Sequence, residues 1–473
     1  MVYKDFQDLK LSALGMGCMR LPVVGGNDAV VDEAAAEEMV DCAMANGVNY
    51  YDTAWGYHNG NSEIALGKAL AKHPREKFYI ADKFPGYDLS NMPKVQEIFE
   101  EQLKKCRVDY FDFYLFHNVC EMNIDAYLDP QYGIHDYLME QKRRGRIRHL
   151  SFSCHGNLPV LKRFLDAYGK DMEFCQLQLN YIDWTFQNGR EKVELLDSWH
   201  IPVWVMEPLR GGRLARLSDE EAAPLRAMRP EEPIPAWAFR FLQSIPSVTM
   251  ILSGMSDLEQ VKANIATFQM GVPLSSREMD RLLAQAQRMV SKTALPCTAC
   301  HYCVSHCPQG LDIPSLLALY NEHAFTGGGF LAPMALSALP QDKWPSACIG
   351  CRSCEAVCPQ QLKISEAKAD FASRRYNLRQ KRPRRELSGG GARSHGVLTV
   401  SGNAARMASG RRAGSNCSRP HHSAKRWTAS LSGDSPGMTV SATVRSPSSF
   451  RTRMPYTQEQ SGRKLRTRTG AYR

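Results

Sequence analysis

Short hydrophobic runs of strand length alternate with longer segments of helical periodicity through the first part of this chain. The strand-like runs lie near residues 13–18, 48–52, 78–83, 111–117, 147–153, 174–180, 202–207 and 249–253. A first helix is expected after the N-cap residue Asp32 and before Asn46 and Gly47, and the others lie near residues 62–72, 93–106, 135–144, 157–168, 190–198, 235–244 and 257–267. This α/β alternation predicts a parallel sheet with right-handed crossovers. Eight repeats can close it into a (β/α)8 TIM barrel over residues 1–290.

A second part of the chain begins near residue 291, where two cysteine runs replace the alternating pattern. A helical stretch at 313–323 and a glycine triplet at 327–329 separate the two runs. The triplet lacks the strand, helix and lysine context of a phosphate-binding loop, so a turn is expected there. We therefore predict a small helical domain over residues 291–373.

Residues 374–473 differ in composition from everything before them. They are rich in Arg, Ser, Gly and Thr, and few of them could bury a core, which predicts a basic disordered tail. The tail holds 22 Lys and Arg and three acids, a net charge of +19. Because the whole chain carries +10, residues 1–373 carry −9. The basic block at 381–385 would suit a nucleic-acid-binding arm, but the abrupt change favours a disordered tail or an out-of-frame extension, and no nucleic-acid partner is expected.

Neither a signal peptide nor a membrane span is expected. Lys4, Asp5, Asp8 and Lys10 interrupt the start of the chain, and no stretch of about 18 uninterrupted apolar residues follows. Eight of the 15 cysteines fall in two tight clusters with the spacing of metal ligands, which favours a reducing compartment. The sequence therefore predicts a cytoplasmic protein.

The two cysteine runs are the strongest local signal in the sequence. They read Cys297-x2-Cys300-x2-Cys303-x3-Cys307-Pro308 and Cys348-x2-Cys351-x2-Cys354-x3-Cys358-Pro359. Zinc sites use pairs of ligands rather than a repeated four-cysteine run ending in Cys-Pro, so iron–sulfur clusters are favoured. The runs resemble two-cluster ferredoxins, and the resemblance implies two 4Fe-4S clusters with crossed ligands. One cluster would take Cys297, Cys300, Cys303 and Cys358, and the other Cys348, Cys351, Cys354 and Cys307.

Polar residues stand where three successive strand-like runs end. Asp52 ends one run, Lys83 and His117 end the next two, and Tyr57 lies five residues after Asp52. In a parallel barrel these ends converge at one mouth, where catalytic groups gather. The four residues, with Asn61-Ser62-Glu63 and Leu66-Gly67-Lys68-Ala69-Leu70, resemble the aldo-keto reductase superfamily over residues 1–290.

The resemblance implies a catalytic role for each of the four. Tyr57 would be the acid that protonates the developing alkoxide, and His117 would orient the substrate carbonyl. A free tyrosine, with a pKa of about 10, is a poor acid near neutrality. We expect the ammonium of Lys83 to lower the pKa of Tyr57, and Asp52 to keep Lys83 charged.

The same resemblance implies positions for a nicotinamide cofactor. Ser153 and Gln176 match residues that bind the nicotinamide amide, and Met206 stands where many members stack an aromatic ring. Gly254 and Asn264 match the segment near the adenosine end, and Gly17 lies at the end of the first strand. Because the usual basic residues for a 2′-phosphate are missing there, NADPH and NADH both remain open.

These features together predict an oxidoreductase that reduces a carbonyl or quinone-like small molecule with a nicotinamide and is coupled to electron transfer through two 4Fe-4S clusters. A redox partner protein is one expected route for those electrons. The alternative is a ferredoxin-type electron-transfer protein or a redox sensor that keeps the barrel as a scaffold. An intact set of four polar residues at the strand ends argues against the scaffold alternative.

Overall fold

The computed structural model describes residues 1–380. Most of the predicted tail lies outside the described residues. Its first part, 374–380, continues a helix that crosses the predicted domain boundary at Ser373.

A closed eight-stranded parallel barrel occupies the first part of the chain, as predicted. The strand order around it is β10-β3-β4-β5-β6-β7-β8-β9. The barrel strands are β3 (Leu14–Gly17), β4 (Tyr50–Asp52), β5 (Tyr79–Phe84), β6 (Phe111–Val119), β7 (Ile147–Cys154), β8 (Cys175–Gln178), β9 (Val203–Met206) and β10 (Val248–Gly254). Each lies close to its predicted position, because hydrophobic runs of this length are buried on both faces of a parallel sheet.

Helices follow the strands along the chain, and their buried faces pack against the barrel. They are α1 (Glu33–Ala45), α2 (Asn61–Leu70), α3 (Val95–Cys106), α4 (Ile124–Leu128), α5 (Ile134–Arg143), α6 (Leu158–Tyr168), α7 (Asp183–Phe186), α8 (Gly189–Ser198), α9 (Asp219–Arg226), α10 (Ile234–Gln243), α11 (Leu258–Gln269) and α12 (Ser276–Ser291). The predicted cap of α1 is confirmed, since Asp32 Oδ1 accepts a hydrogen bond from Ala35 N at 3.1 Å.

A two-stranded antiparallel hairpin precedes the barrel, and the sequence patterns did not indicate it. Strands β1 (Tyr3–Phe6) and β2 (Leu9–Ser12) form it. The ring of Phe6 packs 4.8 Å from that of Trp204, inside a cluster that includes Phe113 and Phe174. These aromatic side chains fill the barrel interior beside the hairpin, and the open cavity lies at the carboxyl ends of the strands.

Four further helices and a second hydrophobic core form the cysteine-rich part. The helices are α13 (Ile313–Thr326), α14 (Leu331–Ser337), α15 (Ser353–Ala356) and α16 (Ile364–Gln380). Their core contains Leu316, Leu317, Leu336 and Phe371 and also the cysteines Cys303 and Cys354. A helical iron–sulfur-type domain after the barrel is therefore the observed arrangement. None of the helices within residues 1–380 is both long and apolar enough to cross a membrane.

Candidate active site

The four predicted catalytic residues line one cavity of about 660 Å³ at the carboxyl ends of the barrel strands. Asp52 is the last residue of β4, and Lys83 and His117 lie near the ends of β5 and β6. Tyr57 begins a short 3-10 segment in the loop after β4. The fold thus brings together four side chains that lie up to 65 residues apart in the sequence.

A buried ion pair lies at the floor of this cavity. Lys83 Nζ donates to Asp52 Oδ1 at 2.6 Å and to the carbonyl oxygen of Thr53 at 2.6 Å. The Lys83 side chain is wholly buried and that of Asp52 is 4% exposed. Burial by itself disfavours the ammonium, but Asp52 and Tyr57 raise the pKa of Lys83 above its ordinary value. The lysine is therefore charged near neutral pH, while burial raises the pKa of Asp52 against the opposing effect of Lys83.

Tyr57 lies beside the ion pair, and its pKa reflects both burial and that neighbouring charge. The ammonium of Lys83 lies 5.2 Å from the centre of the Tyr57 ring. Burial raises the pKa of Tyr57 to about 12, and Lys83 offsets only part of this effect. Lys83 lowers the pKa of Tyr57 as expected, but the loss of hydration outweighs it and the net shift is upward. The phenol keeps its proton throughout the neutral range.

His117 is held by aromatic rings and stays neutral. Its ring lies 6.0 Å from that of Tyr57 and 5.1 Å from that of Tyr87, nearly perpendicular to both. Tyr87 can approach because residue 56 is glycine: a Cβ there would lie 2.3 Å from the Tyr87 hydroxyl. Burial and the charge of Lys83 hold the pKa of His117 well below its usual value. Among the described groups, His117 Nδ1 has no hydrogen-bond partner.

A polar network behind Lys83 was missed in the sequence. Gln102 Nε2 donates to Asp82 Oδ1 at 2.8 Å, to Glu63 Oε1 at 3.1 Å and to the Lys83 carbonyl oxygen at 3.0 Å. Asp82 Oδ1 also accepts the backbone N–H of Lys83 at 2.8 Å. The network fixes the Lys83 backbone from both its N–H and its carbonyl. Of the residues in this network, Glu63 alone belongs to a motif that the sequence patterns singled out, Asn61-Ser62-Glu63.

Five of the six predicted cofactor positions line the same cavity, namely Gly17, Ser153, Gln176, Met206 and Gly254. The sixth, Asn264, does not line it, and its Nδ2 instead donates to Ser253 Oγ at 3.1 Å. Ser253 does line the cavity, so Asn264 reaches it only through that hydroxyl.

A nicotinamide amide fits the polar atoms present. In the part of the chain that the structure describes, the buried Gln176 Oε1 has no hydrogen-bond partner, and Gln176 Nε2 has only a long contact of 3.5 Å to Asp52. Ser153 Oγ already accepts the backbone N–H of Asn118 at 2.7 Å. Gln176 Oε1 can therefore accept from an amide N–H, and the Ser153 hydroxyl can still donate to an amide oxygen.

Three further contributions to the cavity wall had no signal in the sequence patterns. Residues of the loop 207–216 after β9 line it, and Glu207 forms a 3.5 Å ion pair with Arg20 of the loop after β3. His155, directly after β7, also lines it. Phe330, directly before α14, brings the cysteine-rich part of the chain to the cavity. The loop residues belong to no motif, and Phe330 stands 40 residues beyond the predicted end of the barrel.

The eight cysteines of the two runs line two separate small cavities, with four in each. Cys297, Cys300, Cys303 and Cys358 line one. Cys307, Cys348, Cys351 and Cys354 line the other. This grouping coincides with the crossed assignment that the ferredoxin resemblance implies, and it fits two multi-iron clusters. Within residues 1–380, no three His, Cys, Asp or Glu side chains are grouped as ligands of a single metal ion.

Comparison with known protein families agrees with both parts of the chain. A family model described as "Aldo/keto reductase family" matches residues 13–286, more than half of the chain. A second model, described as "4Fe-4S dicluster domain", matches residues 296–363. The chain therefore belongs to the aldo/keto reductase family. It is an oxidoreductase that carries a 4Fe-4S dicluster domain after its barrel.

Individual relatives match somewhat more than half of the chain. The NADH-specific methylglyoxal reductase of Escherichia coli K12 is 24% identical over 326 residues, which cover 59% of this chain and 96% of that protein. The L-galactose dehydrogenase of Arabidopsis thaliana is 25% identical over 284 residues, covering 54% of this chain and 84% of that protein. An aldo-keto reductase structure from Bacillus halodurans, in its holo form, has a TM-score of 0.51 and 25% identity, covering 60% of this chain and 96% of that one.

Proposed function

We propose that this protein reduces small carbonyl compounds with a nicotinamide cofactor and that two 4Fe-4S clusters couple this reaction to one-electron transfer. The observation that carries the proposal is the shared cavity. Asp52, Tyr57, Lys83 and His117 line it together with five positions suited to a nicotinamide. We assign the reduction to residues 1–290 and the electron transfer to residues 291–373.

Each of the four polar residues of the cavity has a separate role in carbonyl reduction. A bound reduced nicotinamide would supply a hydride to the carbonyl carbon. Tyr57 holds the proton that the developing alkoxide needs, since its pKa of about 12 keeps the phenol protonated. Neutral His117 donates a hydrogen bond to the carbonyl oxygen and orients it. Lys83, fixed by Asp52, stabilises the phenolate that remains after proton transfer.

The cavity-lining residues of β10 and of the turn into α11 are uncharged, which favours NADH. One arginine from outside this segment, Arg20, packs against Gly254, and its guanidinium is paired with Glu207 at 3.5 Å. The cavity-lining residues of β10 and the turn into α11 are Leu252, Ser253, Gly254, Ser256 and Gln260. Within this described segment none is basic, whereas a 2′-phosphate is normally bound by Arg or Lys. The E. coli relative is an NADH-specific methylglyoxal reductase. We propose NADH as the cofactor and small aldehydes as the substrate class, with methylglyoxal as the first simple representative to test.

The clusters require a carrier that can handle one electron at a time. A hydride delivers two electrons, while a 4Fe-4S cluster normally passes one. In one route, a quinone-like substrate in the cavity accepts the hydride and a proton, and the resulting hydroquinone gives its two electrons to the clusters one at a time while it releases two protons. In the other route, the clusters exchange single electrons with an external redox partner protein and take none from the nicotinamide. Because the crossed cysteine sets are complete, we propose that the clusters transfer electrons rather than serving only as a structural support.

The proposal is tested by comparing wild-type protein with Tyr57→Phe, both loaded with clusters under anaerobic conditions. Tyr57→Phe should bind NADH as the wild type does, yet reduce aldehydes at least about a hundredfold more slowly, since only the transferable proton is lost. Near wild-type turnover in Tyr57→Phe would refute the assignment. If the wild type reduces no carbonyl but exchanges electrons with a viologen, the protein is an electron carrier or redox sensor with a scaffold barrel.

A further inference from the structure

We propose that the cluster-carrying part of the chain forms one wall of the substrate cavity, and that Phe330 in this wall selects carbonyl substrates that bear an aromatic ring. The inference rests on the proposed carbonyl chemistry of the same cavity, and it adds a substrate preference to it. Phe330 lies outside the barrel, directly before α14 of the cysteine-rich part.

Phe330 presents a free aromatic surface to the cavity. It lines the cavity beside the four polar residues, and 49% of it remains exposed. Its ring lies edge-on to His155, with the ring centres 5.3 Å apart. His155 is fixed by Gln178, 3.2 Å from its Nδ1, and burial lowers its pKa to about 4, so it stays neutral near pH 7. The contact with His155 thus orients the Phe330 ring, and the rest of the ring surface stays accessible.

Helix α14, which follows Phe330, is attached to the barrel next to the candidate catalytic residues. Asn118 Nδ2 donates to Met334 Sδ at 3.3 Å. Asn118 directly follows His117 and adopts a positive φ of 58°. One helical turn further on, Ser337 Oγ contacts Met122 Sδ at 2.7 Å. The wall therefore has a fixed position relative to the carbonyl-binding groups.

Helix α13 attaches the same wall to the loop after β9. Arg210 Nη2 donates to the buried Glu322 Oε2 at 2.6 Å, and Arg210 Nε donates to Asp183 Oδ1 at 2.9 Å. Next to this pair, the ring of Phe325 packs 5.6 Å from that of Phe186. Opening this interface would break the ion pair of Arg210 with Glu322 and expose the rings of Phe186 and Phe325 to water. The wall therefore packs on the barrel through a buried interface.

The chemistry of the cavity then favours an aryl carbonyl. The cavity wall combines the polar groups Tyr57 and Lys83 with the apolar side chains Phe330 and Leu209. Aromatic rings attract one another at centroid distances of about 4.5–7 Å in offset or edge-to-face geometry. An aldehyde or quinone ring could place its oxygen at Tyr57 while its ring contacts Phe330.

The test measures binding without turnover, so that it does not depend on reduction. Benzamide and propanamide carry the same amide carbonyl group, but only benzamide has an aromatic ring. Both resist hydride reduction. Their dissociation constants are measured by calorimetry on the cluster-loaded full chain saturated with NADH, which occupies the nicotinamide position that a primary amide could otherwise enter. The variants are Phe330→Ala and Phe330→Tyr, with Leu339→Ala as a control that truncates an exposed apolar side chain outside the cavity.

Benzamide should bind the wild type more tightly than propanamide does. Phe330→Ala should weaken benzamide by about three- to tenfold, the range of one aromatic contact, and change propanamide by less than about twofold. Phe330→Tyr and Leu339→Ala should bind both amides like the wild type. Unchanged benzamide affinity in Phe330→Ala, equal losses for both amides, or no benzamide binding to the wild type would overturn the inference. Failure of aldehyde reduction with these binding results intact would instead refute the proposed function.

Discussion

Replacing Lys83 with methionine, alone and together with Asp52→Asn, tests separately what the buried ion pair contributes to stability and what Lys83 contributes to catalysis. Methionine fills most of the lysine volume but leaves the Asp52 carboxylate, 4% exposed, without its 2.6 Å partner. Breaking a buried pair from one side typically costs about 3–5 kcal/mol, because the remaining charge is desolvated and unpaired. Lys83→Met should therefore lower the free energy of unfolding by that amount. The double variant Asp52→Asn with Lys83→Met should recover at least about 1.5 kcal/mol of it.

The assay follows guanidinium unfolding of the barrel through the fluorescence of its buried tryptophans, Trp204 and Trp237. Lys68→Met is the matched control, because Lys68 forms a 2.7 Å ion pair with Glu33 at the surface. Such exposed pairs contribute at most about 1 kcal/mol. Aldehyde reduction should stay at least about a hundredfold below wild type in the double variant, even where stability has recovered. A double variant no more stable than Lys83→Met, or one with wild-type turnover, would refute the reasoning.

Two further predictions concern pH and the clusters. Because the pKa of Tyr57 is raised to about 12, the phenol stays protonated and the turnover of aldehyde reduction should show no inflection between about pH 7 and 10. Alcohol oxidation needs the phenolate and should rise about tenfold per pH unit over that range, and a reduction rate that falls through pH 8 would contradict this assignment. Serine at both Cys300 and Cys351, one thiol from each set, should leave the far-ultraviolet circular dichroism of the barrel intact while abolishing electron exchange with a viologen. Wild-type exchange rates in that variant would exclude a role of the clusters in electron transfer.

The barrel and its polar strand ends could be predicted because they follow from local patterns. Hydrophobic runs buried on both faces locate the strands within about two residues, and the parallel arrangement places the ends of β4, β5 and β6 at one mouth. Asp52, Lys83 and His117 therefore met as expected. Tyr57 lies in a loop, where no periodicity constrains it, and only the family resemblance singled it out.

The remaining features depend on packing between segments distant in the sequence. The strands of the β1–β2 hairpin are short and interrupted by Lys4, Asp5 and Lys10, so they form no hydrophobic run that distinguishes them from a loop. The net pKa shift of Tyr57 depends on how deeply the loop buries the phenol. Phe330 follows a glycine triplet and belongs to no motif, so its contact with His155 emerges only once α14 lies against the barrel.

NADH labelled with deuterium at the transferable position tests most directly whether the nicotinamide gives its hydride to the carbonyl carbon at this site. Cluster-loaded protein is incubated with an aldehyde in ordinary water, and the product alcohol is analysed by mass spectrometry. The proposed mechanism predicts one deuterium on the carbinol carbon, because Tyr57 supplies only the oxygen-bound proton. An alcohol product without deuterium would contradict the account, since the reducing electrons would then have reached the carbonyl without hydride transfer from the nicotinamide.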